Sequence, residues 1–178
     1  MKFLKLKSTS GFTIIETLVA LSIFSFSLVG LLTISSGRVH DISNVRNQLT
    51  ANYLAQEGIE TIRNYRDNLV MTTGGWNTFS TAIINACKTS GCSTDSLSRK
   101  FTTCSVANCG ILSQDATTGY YDGFGSIGTP TPFRRVITIK SSTNNLNDEL
   151  VITSTVYWTE GSNNRTVEMA ENLFNWSL

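Results

Sequence analysis

From Gly11 to Ile34 the chain reads GFTIIETLVALSIFSFSLVGLLTI, an almost unbroken apolar stretch whose one ionisable residue is Glu16. As a helix, Phe12 to Ile34 spans about 35 Å at ~1.5 Å per residue, enough to cross a hydrocarbon layer of about 30 Å. After Gly37 the pattern turns polar without a proline, and apolar residues continue at helical spacing: Val39, Ile42, Val45, Leu49, Tyr53, then Ala55, Ile59, Ile62 and Leu69. Asp41, Arg46, Gln48, Glu57, Glu60, Arg63 and Arg66 fill much of the remainder. This half is therefore amphipathic, and its apolar residues are expected to lie on a partner surface. Glu60 and Arg63, one turn apart, add about 0.2–0.5 kcal/mol of helix support. Gly74-Gly75 is the expected stop.

From Trp76 to Pro132 the pattern dissolves into Gly, Ser, Thr and cysteines, with one apolar piece, Phe79 to Ala86, that predicts a second short helix. Pro130 and Pro132, the only prolines, close this section. Three strand-like runs follow: Phe133 to Lys140, Glu149 to Thr159 and Arg165 to Ala170, with turns at Asn144 to Asp148 and Glu160 to Asn164. Short connections between β-branched runs predict an antiparallel meander. A meander of this size needs one face covered, and the amphipathic half of the long helix is the natural cover. Ile137 and Ile139 share a face. Ile152, Val156 and Trp158 lie on one face of the next run, with Val151 and Tyr157 on the other, and the alternation leaves open which points inward. The apolar ending Asn172-Leu173-Phe174-Asn175-Trp176 is expected to pack back onto the sheet or helix.

With 178 residues, a non-globular N-terminal segment leaves room for one modest domain. A net charge of +1 supplies no basic field to attract nucleic acid and no acidic tail. Lys2, Lys5 and Lys7 cluster before the apolar run, which keeps the N-terminus cytoplasmic and sends the rest outward. The four cysteines, Cys87, Cys92, Cys104 and Cys109, then lie in an oxidising compartment, where disulfides are the default. Their two Cys-x4-Cys spacings permit local pairs, crossed pairs or a four-thiolate zinc site, although zinc ribbons prefer tighter spacing and reducing surroundings. His40 is the only histidine, which excludes His-based triads and multi-histidine metal sites. Tyr120-Tyr121 with Phe124 reads as loop packing, and the sequon-like Asn164-Arg165-Thr166 and Asn175-Trp176-Ser177 carry no weight. No catalytic constellation or cofactor motif is present.

A basic leader before an apolar run also fits a secretory signal. The run is too long for one, however, and the small residues Ser35, Ser36 and Gly37 make a poor cutting site, so the segment reads as one that is kept. Glu16 sharpens the point. A carboxylate at mid-bilayer costs roughly 2.5–3.5 kcal/mol on insertion scales, which asks for a reason beyond anchoring.

Gly11-Phe12-Thr13-Ile14-Ile15-Glu16, after a lysine-bearing leader and before an apolar run, closely resembles the processing site of type IV prepilins. The resemblance implies that prepilin peptidase cuts between Gly11 and Phe12 and methylates the new amine of Phe12. It also implies that Glu16 meets the N-terminal ammonium of a neighbouring subunit as helices bundle in a filament. Leu54-Ala55-Gln56-Glu57-Gly58-Ile59-Glu60, Val156-Tyr157-Trp158 and Leu173-Phe174-Asn175-Trp176 are similar, at lower specificity, to PilV-type minor pilins and to minor pseudopilins. The sequence departs from many major pilins in having no proline in the membrane helix, where Gly30, Ser22, Ser25 and Ser27 are the only weak points. Its cysteines also fall in the connecting section instead of bracketing a C-terminal loop.

The expectation is an α+β type IV pilin fold, with a long N-terminal helix on a C-terminal antiparallel sheet. Its parts are a cleaved leader (1–11), a membrane and filament-core helix (12–36), its amphipathic continuation (37–72), a cysteine-containing connection (73–132) and the sheet with its tail (133–178). The implied function is that of a non-enzymatic minor pilin acting in initiation, at the tip or in adhesion. The alternatives are a type II secretion or competence pseudopilin and a membrane-anchored extracellular binding domain that never polymerises. Implied partners are prepilin peptidase, other pilin subunits, an inner-membrane assembly platform and, before assembly, lipid. No metal or cofactor is expected. The implied address is the bacterial inner membrane, followed by an extracellular pilus or a periplasmic pseudopilus.

Overall fold

The computed structural model describes residues 11–72, 75–88, 90–95, 100–105, 107–123, 128–141 and 149–176, with the side chains of residues 35–41 outside the description. Lys2, Lys5, Lys7, Gly74, Phe124, the turn at Asn144 to Asp148, Ser177 and the side chains of Val39, His40 and Asp41 therefore lie outside the described residues. The chain divides into two compact units, one extending to Val45 and one beginning at Arg46.

Helix α1 (Ile14–Thr72) runs through both units. In the first unit its Ile14–Ile34 stretch is long and apolar enough to cross a membrane, and none of that stretch is buried within the chain. The absence of proline lets the helix pass Ser22, Ser25, Ser27 and Gly30 without a break. The hydroxyls of Ser22, Ser25 and Ser27 donate to the carbonyls of Leu18, Leu21 and Ile23 at 2.8–2.9 Å. Each polar group is thus satisfied by its own helix, the arrangement that a hydrocarbon environment requires.

In the second unit α1 packs with helix α2 (Gly75–Cys87) and an antiparallel sheet. The predicted short helix is longer than expected and opens at Gly75, whose φ of 59° is left-handed. It buries Trp76, Phe79, Ile83 and Cys87 at helical spacing, and each fully buried Phe or Ile contributes about 1.5–3 kcal/mol. The cysteine-bearing section supplies strands β1 (Cys92–Thr94) and β2 (Phe101–Thr103), then β3 (Ser113–Gln114), β4 (Tyr121–Asp122) and β5 (Thr129–Pro130). The three predicted strands are β6 (Arg134–Ser141), β7 (Glu149–Glu160) and β8 (Asn163–Phe174). They form a meander, but within a five-stranded sheet of order β2-β1-β6-β7-β8, because Cys92 pairs with Ile137 and brings β1 and β2 onto the edge of β6. A separate small sheet has the order β4-β3-β5.

The register settles the faces. Ile137, Ile139, Leu150, Ile152, Val156 and Trp158 are buried, so Tyr157 and Val151 belong to the opposite face. Two apolar clusters result. One joins Ile62 of α1 to Phe79, Ile83, Ile139, Ile152 and Leu173; the other joins Ala51, Leu54 and Ala55 to Leu112, Phe133, Val156 and Trp158.

One expectation needs correction. The apolar residues of the amphipathic half do not form one covered face: Ile42, Val45, Leu49 and Tyr53 are exposed, whereas Ala51, Leu54, Ala55, Ile59 and Ile62 are buried. At 3.6 residues per turn the exposed set lies about half a turn from the buried one, so the sequence holds two stripes where one was read. The C-terminal tail packs onto both sheet and helix, as expected. Residues 172–174 extend β8, burying Leu173 and leaving Phe174 exposed, while the Arg66 guanidinium sits 5.9 Å from the centroid of the exposed Trp176 ring.

Candidate functional site

Gly11, Phe12 and Thr13 precede the helix and are exposed, and the space around Gly11 is open to 4 Å from where a Cβ would stand. Among the described residues, neither helix hydrogen bonding nor packing engages the Gly11-Phe12 peptide bond. Thr13 then starts α1. Its carbonyl accepts from the Glu16 and Thr17 amides at 3.1 and 3.2 Å, and its hydroxyl accepts from the Glu16 amide at 3.3 Å. Thr13 is thus the helix cap, and Thr13-x-x-Glu16 is a capping-box pattern that the sequence reading passed over.

Glu16 occupies the first turn, where a negative charge is favoured by the amide ends of the helix. Its carboxylate has no ion-pair or hydrogen-bond partner among the described residues, and apolar side chains surround it in sequence on both sides. An anion so placed is tolerable beside water or beside a cation, and expensive in hydrocarbon.

The cysteines pair locally. Cys87–Cys92 has Cα atoms 4.7 Å apart and Cys104–Cys109 has them 5.0 Å apart, and no free cysteine is left. The crossed and zinc readings therefore give way, and no group of His, Cys, Asp and Glu among the described residues could hold a metal. Cys87–Cys92 ties the end of α2 to β1, where both residues are fully buried. Cys104–Cys109 closes the loop after β2, with the Cys104 amide donating to the Gly91 carbonyl at 3.0 Å. The expected aromatic loop is divided: Tyr120 is exposed, and Tyr121 packs on the second core cluster.

Arg135 is a residue that sequence reasoning missed. Only 1% exposed, it donates to the carbonyls of Leu54 at 2.9 Å and Thr94 at 3.2 Å, and to the Glu57 carboxylate at 3.1 Å. Burial lowers its pKa and Glu57 opposes that shift. The signal was its parity with Ile137 and Ile139, which puts it on the inward face. It joins the helix, β1 and β6, so the segment Leu54 to Glu60 bears on both the apolar core and this polar tie.

The comparison with curated proteins and the comparison with solved structures give no match. A family model described as the prokaryotic N-terminal methylation motif matches residues 6–32, a range that takes in Gly11, Phe12, Thr13 and Glu16. The motif implies processing by prepilin peptidase and assembly with other pilins. Ahead of an α+β architecture of the type IV pilin kind, residues 6–32 of this chain carry the type IV prepilin signature.

Proposed function

We propose that this chain is a non-catalytic, minor-type subunit of a type IV pilus, cut between Gly11 and Phe12, methylated on the amine of Phe12 and assembled through its N-terminal helix. Residues 1–11 are the leader that is lost, 12–36 the anchor that becomes filament core, and 37–178 the exported part. The exported part primes assembly, sits at the tip or modifies adhesion. A pseudopilin of a secretion or uptake machine uses the same N-terminal handle, and the same chemistry serves it.

The observation that carries this reading is the Glu16 carboxylate, without a partner among the described residues, on an exposed apolar helix four residues beyond Phe12. In a lone membrane-inserted subunit that charge is costly. Beside the Phe12 ammonium of a neighbour both charges are neutralised, so the penalty on the monomer becomes a preference for the assembled state. The exposed stripe of Ile42, Val45, Leu49 and Tyr53 supports the same reading, since it offers apolar area that a neighbouring helix would cover.

Glu16→Ala tests the proposal. The variant should reach the membrane and lose its leader at the normal rate, while its share in sheared filaments falls by about tenfold or more. Wild-type incorporation of Glu16→Ala would contradict the pairing role.

A further inference from the structure

Strand β8 is the open edge of the five-stranded sheet. It pairs with β7 along its whole length, from Glu149 opposite Phe174 to Glu160 opposite Asn163, and among the described residues with no other strand. The other edge, β2, has three residues and lies against α2, whose Ala86 carbonyl accepts from the Thr103 hydroxyl at 2.9 Å. Native proteins blunt a long free edge with proline, lysine or a bulge. β8 contains neither proline nor lysine, and its register with β7 is unbroken. Its free side therefore presents amides and carbonyls in the alternating pattern that an added strand needs.

Beside this edge runs a groove of about 290 Å³, lined by Ile59, Glu60 and Arg63 of α1 and by Met169, Ala170 and Glu171 of β8. Met169 and Glu171 share the face of the buried Leu173, whereas Ala170 belongs to the other face, so the groove reaches the edge of the strand. Ile59 and Met169 form its apolar part. Its charge is acidic, because Glu60 and Glu171 share the single guanidinium of Arg63. Glu168, exposed on the outer face of β8, has no partner among the described residues and adds another carboxylate. Arg165, further along the strand, is taken up by Glu160. Pairing of β8 with β8 of a second copy is disfavoured by the same charges. The two antiparallel registers that overlap the strand most while matching its faces are centred on Glu168 and on Met169, and they set the two Glu168 carboxylates opposite or diagonal to each other.

We propose that β8 accepts an extended segment of a basic partner polypeptide as an added strand. The segment places a lysine or arginine opposite Glu171, an apolar side chain opposite Met169 and a second basic residue opposite Glu168. Glu171 and Met169 lie on one face and Glu168 on the other, so in antiparallel pairing the partner reads basic-x-apolar-basic. Main-chain hydrogen bonds supply the attachment, and the side chains on the two faces supply the selectivity. This inference goes beyond the filament reading and does not depend on it.

The test uses the full chain in detergent micelles at about 150 mM salt, where distant charges are screened. The probe is the end-blocked peptide Thr-Val-Lys-Thr-Val-Lys-Thr-Val, followed by amide NMR shifts. It should bind and move the amides of β8, while the same peptide with glutamate for lysine should bind about tenfold more weakly or worse. A strand pairs through alternate residues, so N-methylation of one alternating set of the peptide should abolish binding, and methylation of the other set should leave it. Glu60→Gln and Glu168→Lys, both at exposed positions, should each weaken binding about threefold or more. Absence of binding, equal binding by the glutamate peptide, indifference to both methylated sets, or wild-type binding by Glu168→Lys would overturn the assignment. Concentration-dependent shifts of the β8 amides that the peptide does not displace would overturn it in favour of a second copy. None of these outcomes bears on leader removal or filament entry, so failure here is distinguishable from failure of the filament reading.

Discussion

Arg135 shows how one residue can hold together elements far apart in sequence. Its guanidinium replaces lost hydration with two main-chain carbonyls and the Glu57 carboxylate, which is itself part-exposed. Arg135→Ala removes the donor and leaves the Leu54 and Thr94 carbonyls without it, so it should cost about 3–5 kcal/mol of stability in denaturant titration. Glu57→Gln keeps an acceptor near water and should cost only about 1 kcal/mol. Equal losses would contradict the view that the carbonyl contacts dominate. Gly58 is a matched case. A Cβ there would stand 2.5 Å from the Ser154 hydroxyl and 3.0 Å from Cδ of Arg135. Helix propensity alone predicts that Gly58→Ala gains about 1 kcal/mol. Because Ser154 is fully buried and Arg135 is held by its hydrogen bonds, the crowding term of about 1–3 kcal/mol should win, and melting should show a net loss. A raised melting temperature would refute this. At this scale the motif that takes in Gly11, Phe12 and Glu16 was legible because it is local. The sequence hid Arg135, whose partners lie 81, 78 and 41 positions away.

Elements were legible where period and composition agreed. The long helix, the three strands of the meander and the turn at Gly161 followed from spacing and turn residues. The placement of β1 and β2 did not, because strands of three residues carry too little alternation, and their seat beside β6 is fixed by pairing and by the Cys87–Cys92 link. The two stripes on α1 were merged for a related reason: a list of apolar positions gives spacing but not which side the sheet will take. The disulfides permit an ordered prediction. Each closes a loop of similar length, worth a little over about 2 kcal/mol by chain entropy. Cys87 and Cys92 are both fully buried, whereas Cys104 is part-exposed, so the double Cys→Ser change at the first pair also buries two hydroxyls. Thermal unfolding should place the Cys87/Cys92 double variant below the Cys104/Cys109 one, and the reverse order would contradict the burial argument.

At the scale of the whole molecule, the two units divide the labour along the chain. The first carries an exposed apolar helix with a cap and an acid, Glu16, that has no partner among the described residues. The second has its own core, two disulfides and a cleft lined by residues that include Tyr157, Trp158 and Asn164. The first unit was readable from sequence because its chemistry is local and contiguous. The second required the fold, since its clusters and cleft draw on residues brought together by strand register. The central claim is that the first unit is a processing and assembly handle, and the mass of the mature N-terminus tests it most directly. Protein recovered from the membrane of cells with an active prepilin peptidase should begin at Phe12 with one methyl group on its amine. A retained leader, or a cut near Gly37, would contradict the account.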